Sequence, residues 1–250
     1  MATNTVHIIG SFLSPYVRKV LVSLELKGVS YDVDPIVPFY GNDEFGRLSP
    51  LRRIPVLVDE SVTLCDSTVI GEYLEERYPV PALLPTDVVN RAQARWLEEY
   101  ADTRIGDALI WHFYAQLVVR RFVWGEMPDE DVVRKAREVE IPSILDYLES
   151  QVPAHGFLFG PVSSADIAIA SFFRNAFYAK YVIDPMRWPR ASSFIARTLA
   201  LPAFDKLKRY EDVVLGTPVN ERRGRLLAVG APLAATTLAT ATPRRGIMAI

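Results

Sequence analysis

Apolar positions run along this chain in two rhythms. Near the N-terminus they form short unbroken runs, and Val6–Gly10, Tyr31–Val37, Val56–Val58 and Thr63–Leu64 read as strands. Between the first two, Val17, Val20, Leu21 and Leu24 recur at helical spacing behind Pro15, and Lys27 followed by Gly28 marks the helix end. Pro38–Ser49 reads as a loop with a short helix, and Asp59-Glu60-Ser61 as a hairpin turn. Ile70, Tyr73, Leu74 and Tyr78 line one face of a helix from Ser67, with Ser67 as its N-cap. Position 70 is Ile, so no capping box closes this helix start, which is left open to an external carboxylate. The order is β-α-β-α-β-β-α, and a strand–helix–strand crossover of this length implies a parallel first pair.

Pro79, Pro81 and Pro85 break the pattern, and beyond them it is helical throughout. Arg91 to about Phe122 carries Trp96, Tyr100, Ile105, Leu109, Ile110, Phe113 and Leu117 largely at helical spacing. Asp129–Gln151 is amphipathic with a charged first half, and two short helices fit before Gly216. Ser163 and Asp166 form a capping-box-like start to Ile167–Phe173. That helix is apolar nearly all round and belongs at the centre of the second domain. The expected organisation is a domain over 1–79, a linker over 80–87, an all-helical domain over 88–216 and a tail over 217–250.

The tail differs in composition. It holds five arginines (Arg222, Arg223, Arg225, Arg244, Arg245) against Glu221, with Ala, Thr, Pro and Gly dominant from Ala228 to Gly246. Such a composition predicts a mobile segment. The whole chain has 250 residues, 50% hydrophobic and 23% charged, with net charge −2. That balance gives no general attraction to nucleic acid or an anionic membrane. No apolar run reaches the roughly 18–20 residues of a membrane span, and the N-terminus lacks the pattern of a signal peptide. One cysteine, Cys65, excludes a disulfide or Cys-based zinc site within the chain, and three scattered histidines make no metal site. The expected setting is cytoplasmic and metal-free.

The chemistry gathers around Leu48–Val58 and Leu64–Val69. Pro55 leaves Ile54 extended, with an N–H and C=O able to pair with something outside the fold. Asp66-Ser67 sits at an anion-attracting helix start. An exposed peptide edge beside such a helix start suits a small acidic peptide.

The β-α-β-α-β-β-α half describes a thioredoxin-like domain. With a proline-rich linker and an all-helical half, it resembles the cytosolic glutathione S-transferases. Four motifs carry the resemblance: Ser14-Pro-Tyr-Val-Arg-Lys-Val20, Arg53-Ile-Pro-Val-Leu57, Asp66-Ser-Thr-Val-Ile-Gly-Glu-Tyr-Leu-Glu75 and Ser163-Ser-Ala-Asp-Ile-Ala168. It covers about residues 4–215 and looks like the serine-type tau, phi, zeta and bacterial classes.

The resemblance implies that Pro55 is cis, that Ile54 pairs through its backbone with the cysteinyl unit of glutathione, and that Ser67 holds the γ-glutamyl carboxylate. Asp66, one methylene shorter than the family's usual Glu, would face the γ-glutamyl amine. Arg53 would attract the glycyl carboxylate, with the Tyr40 region contributing in place of the family's lysine. Ser14 would be the catalytic residue, donating to the glutathione thiolate, with Ser11 as its rival. Phe12, Leu13, Tyr40, Trp111 and Tyr114 are the candidate substrate-binding residues, although aromatic residues on a long helix are more often core. The resemblance further implies a homodimer and a role in detoxification. The competing class is a non-catalytic protein of the same fold, the stringent-starvation type, which binds a protein partner.

Overall fold

The computed structural model describes residues 5–245. In chain order the elements are β1 (Val6–Ile9), α1 (Pro15–Lys27), β2 (Tyr31–Asp34), α2 (Asp43–Leu48), β3 (Val56–Val58), β4 (Thr63–Cys65) and α3 (Ser67–Arg77). There follow α4 (Val88–Tyr100), α5 (Glu130–Lys135), α6 (Ile141–Gln151), α7 (Ser164–Tyr178), α8 (Pro189–Leu199), α9 (Pro202–Gly216) and α10 (Val219–Ala228). The helix begun at Val88 runs on to Trp124, with Ala101–Ile105 and Asp107–Trp124 wound in wider turns. The fold is thus a thioredoxin-like βαβαββα part followed by helices.

The chain divides into two compact units. Among the described residues, the first joins 5–81 with 202–245, and the second spans Ala82–Leu201. This corrects the expected boundaries at one end. α9, α10 and the tail belong with the thioredoxin-like part, not with the helical domain or outside both.

In the first unit the four-stranded sheet has the order β2-β1-β3-β4. β1 is parallel to β2 (Ile8 opposite Val33), while β3 runs antiparallel to β1 (Ile9 opposite Val56) and to β4 (Val56 opposite Cys65). β2 is shorter than its apolar run suggested and ends at Asp34. α1 packs against both α3 and α9. Its Lys27 ammonium ties the end of α3, donating to the carbonyls of Tyr78 (2.7 Å) and Pro81 (2.8 Å) and pairing with Glu75 at 2.8 Å.

α9 is fixed to α1 by a buried ion pair. Arg18 and Glu211 are 0% and 1% exposed, and the guanidinium Nε meets the carboxylate at 2.5 Å. Beside it the Tyr210 ring lies 5.2 Å from Phe12, and Lys206 reaches Glu25 at 2.6 Å. These contacts explain the corrected boundary. A carboxylate and a guanidinium stripped of water need each other more strongly than any surface pair does.

The tail is held along its described length. The Val33 N–H donates to the Pro232 carbonyl (2.7 Å) and the Ala234 N–H to the Val33 carbonyl (2.9 Å), which adds one rung to the outer edge of β2. Thr237 Oγ1 and the Leu238 N–H both donate to buried Asp34, each at 2.7 Å. Composition predicts a mobile tail because it counts side chains, and this packing is made largely by backbone groups. Residues 246–250 of the expected tail, and the first four residues, lie outside the described residues.

In the second unit α7 is central, with every residue from Ala165 to Ala176 buried. It packs against α4, the Asp107–Trp124 helix and α8. Its start is closed as the capping pattern suggested. The Asp166 carboxylate accepts from the Ser163 N–H (2.8 Å), the Ser163 hydroxyl (2.5 Å) and the Leu158 N–H (2.9 Å). Among the described residues no helix is long and apolar enough to cross a membrane.

Removing one partner of the Arg18–Glu211 pair breaks a buried ion pair. Glu211→Ala is expected to cost about 3–5 kcal/mol, while the paired change Arg18→Met/Glu211→Leu recovers most of it. Urea denaturation of the three proteins measures both. A loss under about 1 kcal/mol for Glu211→Ala would contradict the assignment of α9 to the first unit.

Candidate functional site

Strand register assembles this site. Val56 lies between Ile9 and Cys65. Beyond that shared residue, Ile54-Pro55 enters β3 at the same end of the sheet at which β1 runs out into Gly10 and β4 into Asp66. Three stretches far apart in sequence therefore meet at one end of the sheet: the turn 10–14, the Ile54-Pro55 dipeptide and the start of α3. The close approach is measurable at Gly10, which has φ +153°. A Cβ there would lie 2.4 Å from Val17 Cγ2 and 3.1 Å from Ile54 Cβ, so only glycine fits.

The Ile54–Pro55 peptide bond is cis. Among the described residues, neither the N–H nor the C=O of half-buried Ile54 has a hydrogen-bond partner. Most backbone groups in a folded chain are paired, so such an unpaired N–H and C=O suits an incoming peptide. The Arg53 backbone is held by Ser49, whose Oγ donates to the Arg53 carbonyl at 2.8 Å. The Arg53 side chain is exposed, and its guanidinium has no partner among the described residues. Arg52, with φ +50°, donates to the carbonyls of Gly41 (2.6 Å) and Asn42 (3.1 Å).

At α3 the expected cap is corrected by one residue. Asp66, not Ser67, is the N-cap, with φ +83°, and its carboxylate accepts from the N–H groups of Thr68 (2.9 Å) and Val69 (3.2 Å). The carboxylate is short enough to fold back on its own helix start, which is why it displaces Ser67 from this role. Ser67 is the first helical residue, 4% exposed, and its hydroxyl has no partner among the described residues.

Ser14 caps α1, with Pro15 as the first helical residue. Its Oγ accepts from the Val17 N–H at a long 3.4 Å, and its own hydrogen has no acceptor among the described residues. Ser11 is a different kind of serine. It is 6% exposed, and its Oγ accepts from the Leu13 N–H (3.2 Å) within the turn, while its carbonyl takes the Ser14 N–H at 3.0 Å. Ser11 shapes the turn that presents Ser14.

The candidate electrophile residues divide. Phe12 is 1% exposed and packed against the tilted ring of Tyr210, so the structure places it in the core of the first unit, which corrects its expected pocket role. Leu13 and Tyr40 are half-buried in that unit. Trp111 and Tyr114 belong to the second unit, Trp111 half-buried and Tyr114 buried at 5%. Cys65 donates its thiol hydrogen to the Leu48 carbonyl at 3.0 Å. Burial and the Asp66 charge push that thiol up, against the Ser49 hydroxyl, so it stays protonated near neutral pH. Among the described residues, no three His, Cys, Asp or Glu side chains converge as a metal site.

The family model described as "Glutathione S-transferase, N-terminal domain" matches residues 9–82. An uncharacterised GST-like protein of Escherichia coli K12, YibF, is 30% identical over 164 residues, covering 65% of this chain and 78% of its own. Maleylacetoacetate isomerase of Mus musculus is 30% identical over 194 residues, covering 74% of this chain and 84% of its own. Among solved structures, a glutathione S-transferase of Methylobacterium radiotolerans in complex with glutathione sulfonate superposes with TM-score 0.66 at 25% identity. That match covers 80% of this chain and 93% of the other.

The Asp66 cap is separable from any ligand contact. Asp66→Asn keeps a side-chain acceptor and tolerates positive φ, and is expected to change stability by under about 0.5 kcal/mol. Asp66→Ala loses the acceptor and strains the backbone, and should cost about 1–2 kcal/mol. Thermal or urea unfolding of the two variants distinguishes these values, and equal losses would refute the capping role.

Proposed function

The chain belongs to the glutathione S-transferase family, and from that premise we propose that it joins the thiolate of glutathione to a small hydrophobic electrophile. One observation carries the reading. At a single end of the sheet, the Ser14 hydroxyl hydrogen, the Ile54 peptide groups and the Ser67 hydroxyl all lack partners among the described residues. Those groups match a thiolate, an extended cysteinyl peptide and a carboxylate, in that order.

In this reading the Ile54 N–H and C=O pair with the cysteinyl unit. Ser67, with the positive end of α3, holds the γ-glutamyl carboxylate, and Asp66 Oδ2, the oxygen left outside the cap, faces the γ-glutamyl amine. Arg53 faces the glycyl carboxylate, with Tyr40 on the same side. A free thiol titrates near 8.5, and only its thiolate is a strong nucleophile. The Ser14 hydroxyl donates to that sulfur, and the N-terminus of α1 adds a positive field. A fall of about two pKa units corresponds to roughly 2.7 kcal/mol of preferential stabilisation of the thiolate. The thiolate then attacks an electrophilic carbon, forming a carbon–sulfur bond and either displacing a halide or adding to an activated double bond. Ser14 is a hydrogen-bond donor throughout and forms no covalent bond. The protein acts as a homodimer in this reading.

The match to maleylacetoacetate isomerase favours one variant. Thiolate addition to a conjugated double bond, rotation and elimination would return glutathione unchanged and leave an isomerised product. Counting free thiol over many turnovers separates the two outcomes: conjugation consumes it and isomerisation does not.

Calorimetry of glutathione binding comes first. The wild type is expected to bind in the micromolar-to-millimolar range, with Ser67→Ala weaker by at least about 1 kcal/mol, roughly fivefold. Ser14→Ala is expected to keep binding but return the bound thiol toward about 8.5, followed by thiolate absorbance against pH. The enzyme is then most active above the lowered thiol pKa, and in Ser14→Ala the rising limb moves to higher pH. No detectable binding by the wild type would overturn the reading.

A further inference from the structure

We propose that the C-terminal segment Ala231–Arg244 is a positioning strap for the Ile54 peptide edge, and that its attachment sets the affinity for glutathione. The inference rests on the glutathione reading above.

Beyond its rung on β2 and its bonds to Asp34, the strap grips the segment that leads into α2. The Asn42 N–H donates to the Leu238 carbonyl (2.9 Å), and the Thr240 N–H and Oγ1 donate to the Tyr40 carbonyl (2.6 and 2.9 Å). The Arg244 N–H reaches the Phe39 carbonyl at 2.8 Å, and its guanidinium meets Asp43 at 2.5 Å. Every residue from Phe39 to Asp43 except Gly41 is thus hydrogen-bonded to the strap, and Gly41 lies opposite Ala239.

From there two routes lead to Ile54. The first is apolar. Leu238 and Ile54 pack against the same buried cluster of Ile9, Ile36, Phe45 and Val56. The second is polar. Arg52 donates to the carbonyls of Gly41 and Asn42, and its guanidinium lies 5.8 Å from the centre of the Phe45 ring. Arg52 is two residues before Ile54 and adjoins Arg53. A close-packed cluster transmits a lost side chain to its neighbours, so freeing Leu238 unseats Phe45 and Ile54 together. The strap residues are positioning residues in this account, acting through Asn42, Arg52 and Phe45.

The test uses the full chain carrying Thr237→Val/Leu238→Ala or, separately, Arg244→Ala. Glutathione affinity is measured by calorimetry and amide hydrogen exchange by mass spectrometry or NMR. For the double variant, the Val33 and Asn42 amides are expected to exchange faster while those of β3 keep their protection. The glutathione dissociation constant is expected to rise at least about fivefold, with a smaller rise for Arg244→Ala. Faster exchange at Val33 and Asn42 with an affinity within about twofold of wild type would overturn the strap's role. So would unchanged exchange at both amides, since Thr237 and Leu238 would then not hold the segment. Loss of β3 protection would mean general unfolding, in which case Arg244→Ala, which removes no buried group, decides. Absence of glutathione binding by the wild type would instead overturn the reading beneath the proposal, and the proposal with it.

Discussion

The antiparallel pairing of β3 with both of its neighbours is the constraint on which the site depends. Val56 is paired on both sides, so the residues just before it must lie between the turn after β1 and the start of α3. A one-residue slip in either pairing would exchange the faces of β3 and displace Ile54 along the sheet. Phe45, Ile9, Ile36 and Val56 form the buried cluster on one side of that register. The geometry that leaves the Ile54 peptide without a partner is therefore secured by the same packing that stabilises the sheet.

A second constraint comes from α9. The helix is far from α1 in sequence, yet Arg18 and Glu211 are buried against each other, with Tyr210 on Phe12 beside them. All of these partners lie on the turn 10–14 or the first turns of α1, the segment that presents Ser14. A buried ion pair is a weak source of net stability but a strong specifier of arrangement, because each charge tolerates one neighbour and few others. The pair thus fixes how α1 is seated, and with it the direction of the helix end behind Ser14.

Much of this was legible in the sequence because it rests on local rules. Pro15 and Gly28 bracket α1, Ser163 and Asp166 close α7, and the change from short apolar runs to helical spacing marks the passage between the two parts. The reading failed where long-range pairing decides. Asp66 took the cap from Ser67 because a residue at φ +83° places its carboxylate over the helix N–H groups, which no residue pattern displays. Phe12 looked like a pocket wall until Tyr210 covered it. Glu211 on α9 has the appearance of a solvated charge, and only its distant partner reveals it as buried. The tail was misread for a related reason. Low apolar content argues against a packed core, but says nothing about a strand edge whose N–H and C=O groups need partners.

That need gives the tail its logic. β2 is an edge strand with the N–H and C=O of buried Val33 turned away from β1, and Asp34, 1% exposed, is a carboxylate that must be satisfied where water does not reach. Small residues let the segment 231–240 lie close along that edge, and Thr237 and Leu238 supply the two donors that Asp34 requires. One buried carboxylate therefore does what a larger apolar patch would otherwise have to do, and it does so with directional bonds. Directional bonds specify register as well as proximity. The register they impose puts Leu238 on the Phe45 cluster and its carbonyl on Asn42, so that a segment of unremarkable composition is joined to the wall on which Ile54 stands.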